Sequence, residues 1–230
     1  MCLLEIKFNL LIEMAQSNVQ FGYWNIRGGV RGQINRYLLK YAGVDFTDKR
    51  YSPEEWAVDK GTLVENIPYI IVGDFKLTES KAVSVYICDK FAPQLLGSTP
   101  EARAKIIMMQ QVIVDAIIPT AMIAFGSPDV EPLRAKCMEG FAKIVPYLGS
   151  KQFLEGNEVS MNDFSLFEFI EMTNILNENE SLYDTYPALR AFHQSMLALP
   201  KFGEYFNSAE CMKGPILTPG ICKIEQWTRE

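Results

Sequence analysis

The chain has 230 residues, 48% of them apolar, which is enough for one large or two ordinary domains with real cores. Its formal charge of −6, with no basic stripe to meet phosphates, excludes nucleic-acid binding as a class. The five cysteines, Cys2, Cys88, Cys137, Cys211 and Cys222, form no C-x-x-C pair and no metal-ligand spacing, so they read as reduced thiols of a cytoplasmic protein without a metal site.

Residues 1–18 read as an N-terminal extension. Glu5, Lys7 and Glu13 interrupt each apolar run and no basic segment precedes them, which argues against a signal peptide. Met14 stands shortly before the first strand, so residues 1–13 read as an addition or a mis-set start. In FGYWNIRGGVRGQINRYLLKYAG, residues 21–43, Phe21 and Tyr23 continue a period-two pattern from Val19 that ends at Arg27-Gly28-Gly29, as a short strand does. From Ile34 the spacing of Leu38, Tyr41 and Ala42 turns helical, and Gly43 sits where a helix C-terminal glycine belongs. Tyr23 is thereby predicted at the exit of a strand, the edge where open α/β layers collect ligands.

DFTDKRY, residues 45–51, reads as a second strand, and SPEEWAVDKGTLVEN as a polar, loop-like stretch. A hairpin follows, Tyr69 to Val72 and Phe75 to Thr78 around a Gly73-Asp74 turn, and then a helix over 79–92. QLLGSTPEAR, around residues 94–103, reads as a linker. Beyond it only helical patterns occur: 100–125, begun by Pro100 and expected to break or kink near Pro119; 131–148, striped by Leu133, Cys137, Phe141, Ile144, Val145 and Leu148; 161–177, opened by Ser160 as N-cap with Asp163 three residues on; then 187–199 and 200–207. The run 106–125 has membrane-like length, yet it carries Gln110, Gln111, Asp115 and Pro119. An aspartate at mid-membrane costs about 2.5–3.5 kcal/mol, so the run reads as a buried helix of a soluble helical domain. His193 is the one histidine, which excludes Ser-His-Asp chemistry unless it is the base; its amphipathic surroundings predict a satisfied helix residue.

This order of elements, with YWNIRG, NIPY and ESKAV in turn and SMND opening a later helix, resembles the cytosolic glutathione S-transferases over about residues 19–230. GYWNIRG and the tail MKGPILTPGICKIEQW look most like the mu class. The resemblance implies an α/β plus all-α fold: an N-terminal thioredoxin-like β-α-β-β-β-α domain over 19–93, the linker over 94–103, and an all-helical C-terminal domain over 104–230. It implies glutathione as co-substrate with no cofactor, small hydrophobic electrophiles as second substrates, a homodimer, and no nucleic-acid or membrane partner.

The family's roles, carried onto this sequence, make chemical sense. A thiol with pKa near 8.5 is mostly protonated at neutral pH, and a phenol O–H aimed at the sulfur stabilises the thiolate; the resemblance gives that role to Tyr23. It gives glutathione Trp24, the backbone at Gly29, Trp56, Lys60 for the glycyl carboxylate, Asn66, and Ile67-Pro68 as the cis-proline turn that exposes backbone to the cysteinyl part. Glu79 and Ser80, opening a helix, receive the γ-glutamyl carboxylate, and Asp115 of the partner subunit reaches the amino group. Ile26, Val114, Ile118, Phe125 and Leu217 form the electrophile pocket together with Trp24. On their own residues these positions read more plainly: Tyr23 as a strand aromatic, Pro68 as a strand-edge proline, Glu79-Ser80 as a cap, Lys60 as a solvated lysine, the apolar set as core. The same site also suits a glutathione-dependent isomerase of the prostaglandin type, a peroxidase, or a binding protein that has lost turnover.

Four features depart from the mu pattern. The stretch before Trp56 is short, as in the sigma class; Glu79 stands for the usual Gln; Phe125 stands where a tyrosine is common; and Val64 occupies the position of the aromatic dimer key.

Overall fold

The computed structural model describes residues 18–29, 31–176 and 182–229, so the expectations for residues 1–17 lie outside the described residues. Strand β1, Val19–Trp24, buries Val19, Phe21 and Tyr23 on alternate positions, and its Gly22 leaves room for the Tyr69 ring, which a Cβ there would meet at 2.2 Å. Helix α1, Gln33–Tyr41, sinks Ile34, Tyr37, Leu38 and Leu39 completely, and Gly43 follows it at φ 71°, a conformation glycine adopts without strain. Strand β2, Thr47–Tyr51, pairs parallel to β1 with Tyr23 opposite Arg50.

The stretch expected to be a loop instead forms helix α2, Pro53–Asp59. Ser52 and Glu55 close a reciprocal capping box and Pro53 pre-sets the first turn, so seven residues become helical although Trp56 is the one side chain they bury. Strands β3, Tyr69–Val72, and β4, Phe75–Thr78, form the expected hairpin, and helix α3, Ser80–Phe91, covers the sheet. Strand order is β2-β1-β3-β4, with β3 antiparallel to both neighbours. This is the thioredoxin-like layout, with α2 inserted.

A 3-10 turn, Pro93–Leu96, buries Leu95 and Leu96 within the stretch read as linker, and helix α4, Pro100–Gly126, already begins there. Helix α4 runs through Pro119 without the break that is one of the two expectations there. An interior proline costs about 3 kcal/mol, but Ala116, Ile117, Thr120 and Ala124 on either side of it are buried, and that packing carries the helix onward. By length and composition α4 could cross a membrane; here it packs on helices α5, Val130–Leu148, and α6, Met161–Leu176. Gly140 of α5 sets that approach, since a Cβ on it would stand 2.8 Å from the Ala116 methyl.

Helix α6 is the centre of the second half, with every residue from Met161 to Ile170 buried. Half of the expected capping box is present at its start, Asp163 accepting from the Ser160 N–H, and half differs. The Asp163 carboxylate accepts from the Ser160 N–H (2.7 Å), the Ser160 hydroxyl (2.8 Å) and the Leu154 N–H (2.8 Å), so the Ser160 side chain donates instead of capping an amide. Short helix α7, Leu182–Thr185, not anticipated, precedes α8, Pro187–Leu197, and α9, Pro200–Asn207; a tail with a 3-10 turn, Glu225–Trp227, returns over α6 and buries Trp227. His193 is satisfied as expected: its Nε2 lies 2.8 Å from Glu171 Oε1 and its ring stacks on Phe167. Cys88 and Cys137 are core residues, and burial pushes the Cys137 thiol up to about 11.

Candidate active site

Tyr23 is the penultimate residue of β1, and the chain then leaves the sheet through Gly28 and Gly29, at φ 71° and 44°. These glycines are required by the space they occupy. A Cβ on Gly28 would stand 2.3 Å from the Tyr23 ring, one on Gly32 2.5 Å from it, and one on Gly29 2.9 Å from Met172 Sδ. The loop is tied to the C-terminal tail by main-chain bonds, Arg27 N–H to the Pro215 carbonyl (2.8 Å) and Gly28 N–H to that of Ile216 (3.0 Å). Behind it the buried Arg27 guanidinium forks onto both Glu168 oxygens (2.8 and 2.7 Å), and the Tyr37 hydroxyl donates to the same carboxylate (2.9 Å). Burial acts against that guanidinium, but Glu168 beside it holds the arginine's pKa well above its ordinary value. The pair joins the sheet domain to α6.

Tyr23 itself is 7% exposed, and no described residue hydrogen-bonds its hydroxyl. Burial raises its pKa, with Arg31 and Arg36 pulling the other way, so the phenol keeps its proton at neutral pH and can act as a donor.

A cleft of about 320 Å³ opens between this loop and α4, lined by Tyr23, Gly29, Arg31, Ile118, Phe125 and Leu217, with Met122 and Met172 completing its apolar side. A second cleft of about 210 Å³ shares Arg31 and Ile118 with it and extends to Ser80, Lys81, Gln110 and Val114. Two segments far apart in sequence thus line adjacent clefts.

The remaining expected positions line neither cleft. Trp24 meets Trp56 edge to face at 6.4 Å, and Trp56 is in turn edge-on to Tyr51 at 5.4 Å. Lys60 caps α2 and is exposed. The Asn66 amide donates to Glu79 Oε1 (3.0 Å) and its oxygen accepts from the Ile67 N–H (2.9 Å), next to a cis Ile67–Pro68 bond. Glu79 adopts φ 71°, among the described residues the one non-glycine on that side, and turns the chain into α3 at Ser80. Asp115, read as an acid embedded in an apolar helix, is exposed on the single chain and accepts from Gln111 Nε2 (2.7 Å), because it falls on the face of α4 opposite the packed one. Ile26 is buried and lines neither cleft, and Val64 is tucked into its own chain's core.

The sequence reading missed Arg31, Ala121, Met122 and Met172 as lining residues. Ala121 and Met122 were within reach, since they follow Ile118 by three and four residues and precede Phe125 on one helix face. No local signal brings Met172 of α6, or Arg31, to the same place.

A thioredoxin-like sheet domain is followed by a helical domain, and Tyr23, without a hydrogen-bond partner among the described residues, lines a cleft with residues of both. The glutathione S-transferase N-terminal domain model matches residues 19–89, and the C-terminal domain model residues 130–209. The class-mu 26 kDa isozyme 7 of Fasciola hepatica is 33% identical over 207 residues, covering 86% of this chain and 92% of that protein. The Mu 2 transferase of Mus musculus is 29% identical over 210 residues, with 85% and 93% covered. The solved pi-class enzyme of Onchocerca volvulus superposes with a TM-score of 0.76 at 22% identity, covering 88% of this chain and 99% of that one. The chain belongs to the glutathione S-transferase family.

Proposed function

We propose that this protein transfers glutathione to small apolar electrophiles, with the Tyr23 hydroxyl donating to the glutathione thiolate. The observation that carries this reading is a buried phenol that keeps its proton, has no hydrogen-bond partner among the described residues, and borders an apolar cleft of ligand size. The donor lowers the thiol's pKa by bonding its charged form. For an aryl chloride, the thiolate sulfur bonds the aryl carbon, chloride leaves with the electron pair of the C–Cl bond, and the thiol's proton has already passed to solvent.

Glutathione lies along the sheet edge. The Ile67 backbone pairs with its cysteinyl part, Gly29 contributes backbone, Trp56 and Lys60 hold the glycyl end, and the N–H groups at Glu79-Ser80 receive the γ-glutamyl carboxylate beside Asn66. Asp115 of the partner subunit in a homodimer meets the amino group; its exposure on the single chain suits that role. Val114, Ile118, Phe125 and Leu217 face the electrophile. The protein acts in the cytoplasm on glutathione, without a cofactor.

The test is conjugation of glutathione to 1-chloro-2,4-dinitrobenzene by the parent and by Tyr23→Phe, with glutathione binding measured for both. The variant is expected to keep binding and to lose about 10²–10³ in kcat, the effect of removing one preorganised donor. If both bind and neither turns over, the site serves isomerase or peroxidase chemistry; if neither binds glutathione, the reading is wrong.

A further inference from the structure

Three arginines surround the Tyr23 loop, and two of them are committed. Arg27 is fully engaged with Glu168 and Tyr37, and Arg36, buried, binds Asp48 (3.1 Å) and the Ile26 carbonyl (3.2 Å). Arg31 is exposed, and no hydrogen bond or ion pair engages its guanidinium among the described residues. It lines both clefts, and among the described residues no aspartate or glutamate lines either one. Its charge reaches the reacting end of the first cleft, since it is one of the two cations that pull on the Tyr23 phenol. Lys81 lines the second cleft, its Nζ donating to Gln111 Oε1 (3.4 Å), so Arg31 is the one cation lining the first, mainly apolar cleft among the described residues. A cation at the edge of an apolar cavity attracts an anion more strongly than it would in bulk water, because the low-dielectric walls focus its field.

Resting on the transferase reading, we propose that Arg31 selects electrophiles carrying an anionic group, a carboxylate above all, whose apolar body fills the cleft against Ile118, Met122 and Phe125. The planar guanidinium fork matches a carboxylate with two parallel bonds. Glutathione leaves it free for this purpose, because the glycyl carboxylate is met by Lys60 and the γ-glutamyl carboxylate by the start of α3. The acid then anchors one end of the second substrate while its reactive carbon meets the sulfur at Tyr23.

The experiment compares 4-chloro-3-nitrobenzoate with 4-chloro-3-nitrobenzamide, each rate divided by its uncatalysed rate with glutathione. The parent is expected to favour the acid through KM, and the ratio of the two kcat/KM values is expected to fall about tenfold in Arg31→Gln, the scale of one charge-assisted contact. Arg31→Lys should retain part of the preference and Arg31→Glu should reverse it. An equal ratio in parent and Arg31→Gln overturns the proposal, as does a rise in the KM for glutathione that is the same with both electrophiles, which would assign Arg31 to the peptide. Turnover of neither compound, nor of 1-chloro-2,4-dinitrobenzene, by the parent overturns the transferase reading instead.

Discussion

On the loop side of the cleft, Tyr23 is caged by two glycines that leave no room for a methyl group, and the loop is bonded to the tail by main chain and braced from behind by a buried ion pair. On the α4 side, Ile118 and Phe125 are half-buried and Met122 is 63% exposed, with nothing but side chains to define the surface. One wall is over-determined and the other is replaceable. On the proposed reading the contrast teaches how such a site would keep a constant reaction while changing its second substrate: a hydroxyl that is to meet a sulfur must hold its place to within tenths of an ångström, whereas an apolar wall works with any side chains of suitable volume.

The contrast breaks most severely at Glu168. Glu168→Ala leaves the Arg27 guanidinium charged, buried and unpaired, and should cost about 3–5 kcal/mol in urea unfolding, with activity falling alongside as the Tyr23 loop loses its support. A loss under 1 kcal/mol would show that the loop is held by its glycines and tail alone.

Helix α6, which carries Glu168, is anchored by Asp163, and its anchor is pH-dependent. Burial pushes the Asp163 carboxyl from 3.8 up to about 6, against three hydrogen bonds that favour the ionised form. Between those values the folded chain holds a proton that the unfolded chain has released. The stability this group contributes is therefore complete below about pH 4 and is lost as pH rises to about 6, some 3 kcal/mol in order of magnitude. The difference in unfolding free energy between the parent and Asp163→Asn, followed from pH 4 to 7, should show this slope and then level off.

Gly32→Ala tests the cage directly. Its Cβ would meet the Tyr23 ring at 2.5 Å and the Arg27 carbonyl at 2.9 Å, so it is expected to cost about 1–3 kcal/mol and to lower kcat more than glutathione affinity. Met122→Ala, on the replaceable wall, should change stability by less than about 0.5 kcal/mol and act chiefly on the KM of bulky apolar electrophiles. If Met122→Ala disturbed kcat as strongly as Gly32→Ala, the two walls would not differ as described.

Legibility followed the same division. The strands of the sheet, the hairpin turn and the long helices stood in the sequence because period two, helical spacing and Gly/Pro punctuation are local properties of the chain. Helix α2 was overlooked because one buried residue leaves no apolar stripe, although its capping signature, Ser52-Pro53-Glu54-Glu55, was written out. The break expected at Pro119 was a sound local inference overruled by packing on both sides of it. Tyr23 was conspicuous as a tyrosine at a strand exit before glycines, but its lack of a partner was not, since that depends on what the fold leaves around it.

By itself the sequence determined which segments would be strand or long helix, though not the short helices α2 and α7, where the sheet would end, and, through ordered short motifs, which family it resembles. Only the tertiary structure decided that Asp115 faces outward, that Glu168 neutralises Arg27 across the domains while Arg31 meets no ion-pair partner among the described residues, and that Met172 joins Tyr23 on one cleft. The physical reason is range. Backbone preference and periodicity act over a few residues, whereas burial, charge pairing and cavity shape are set by groups that meet after more than a hundred residues of intervening chain have folded.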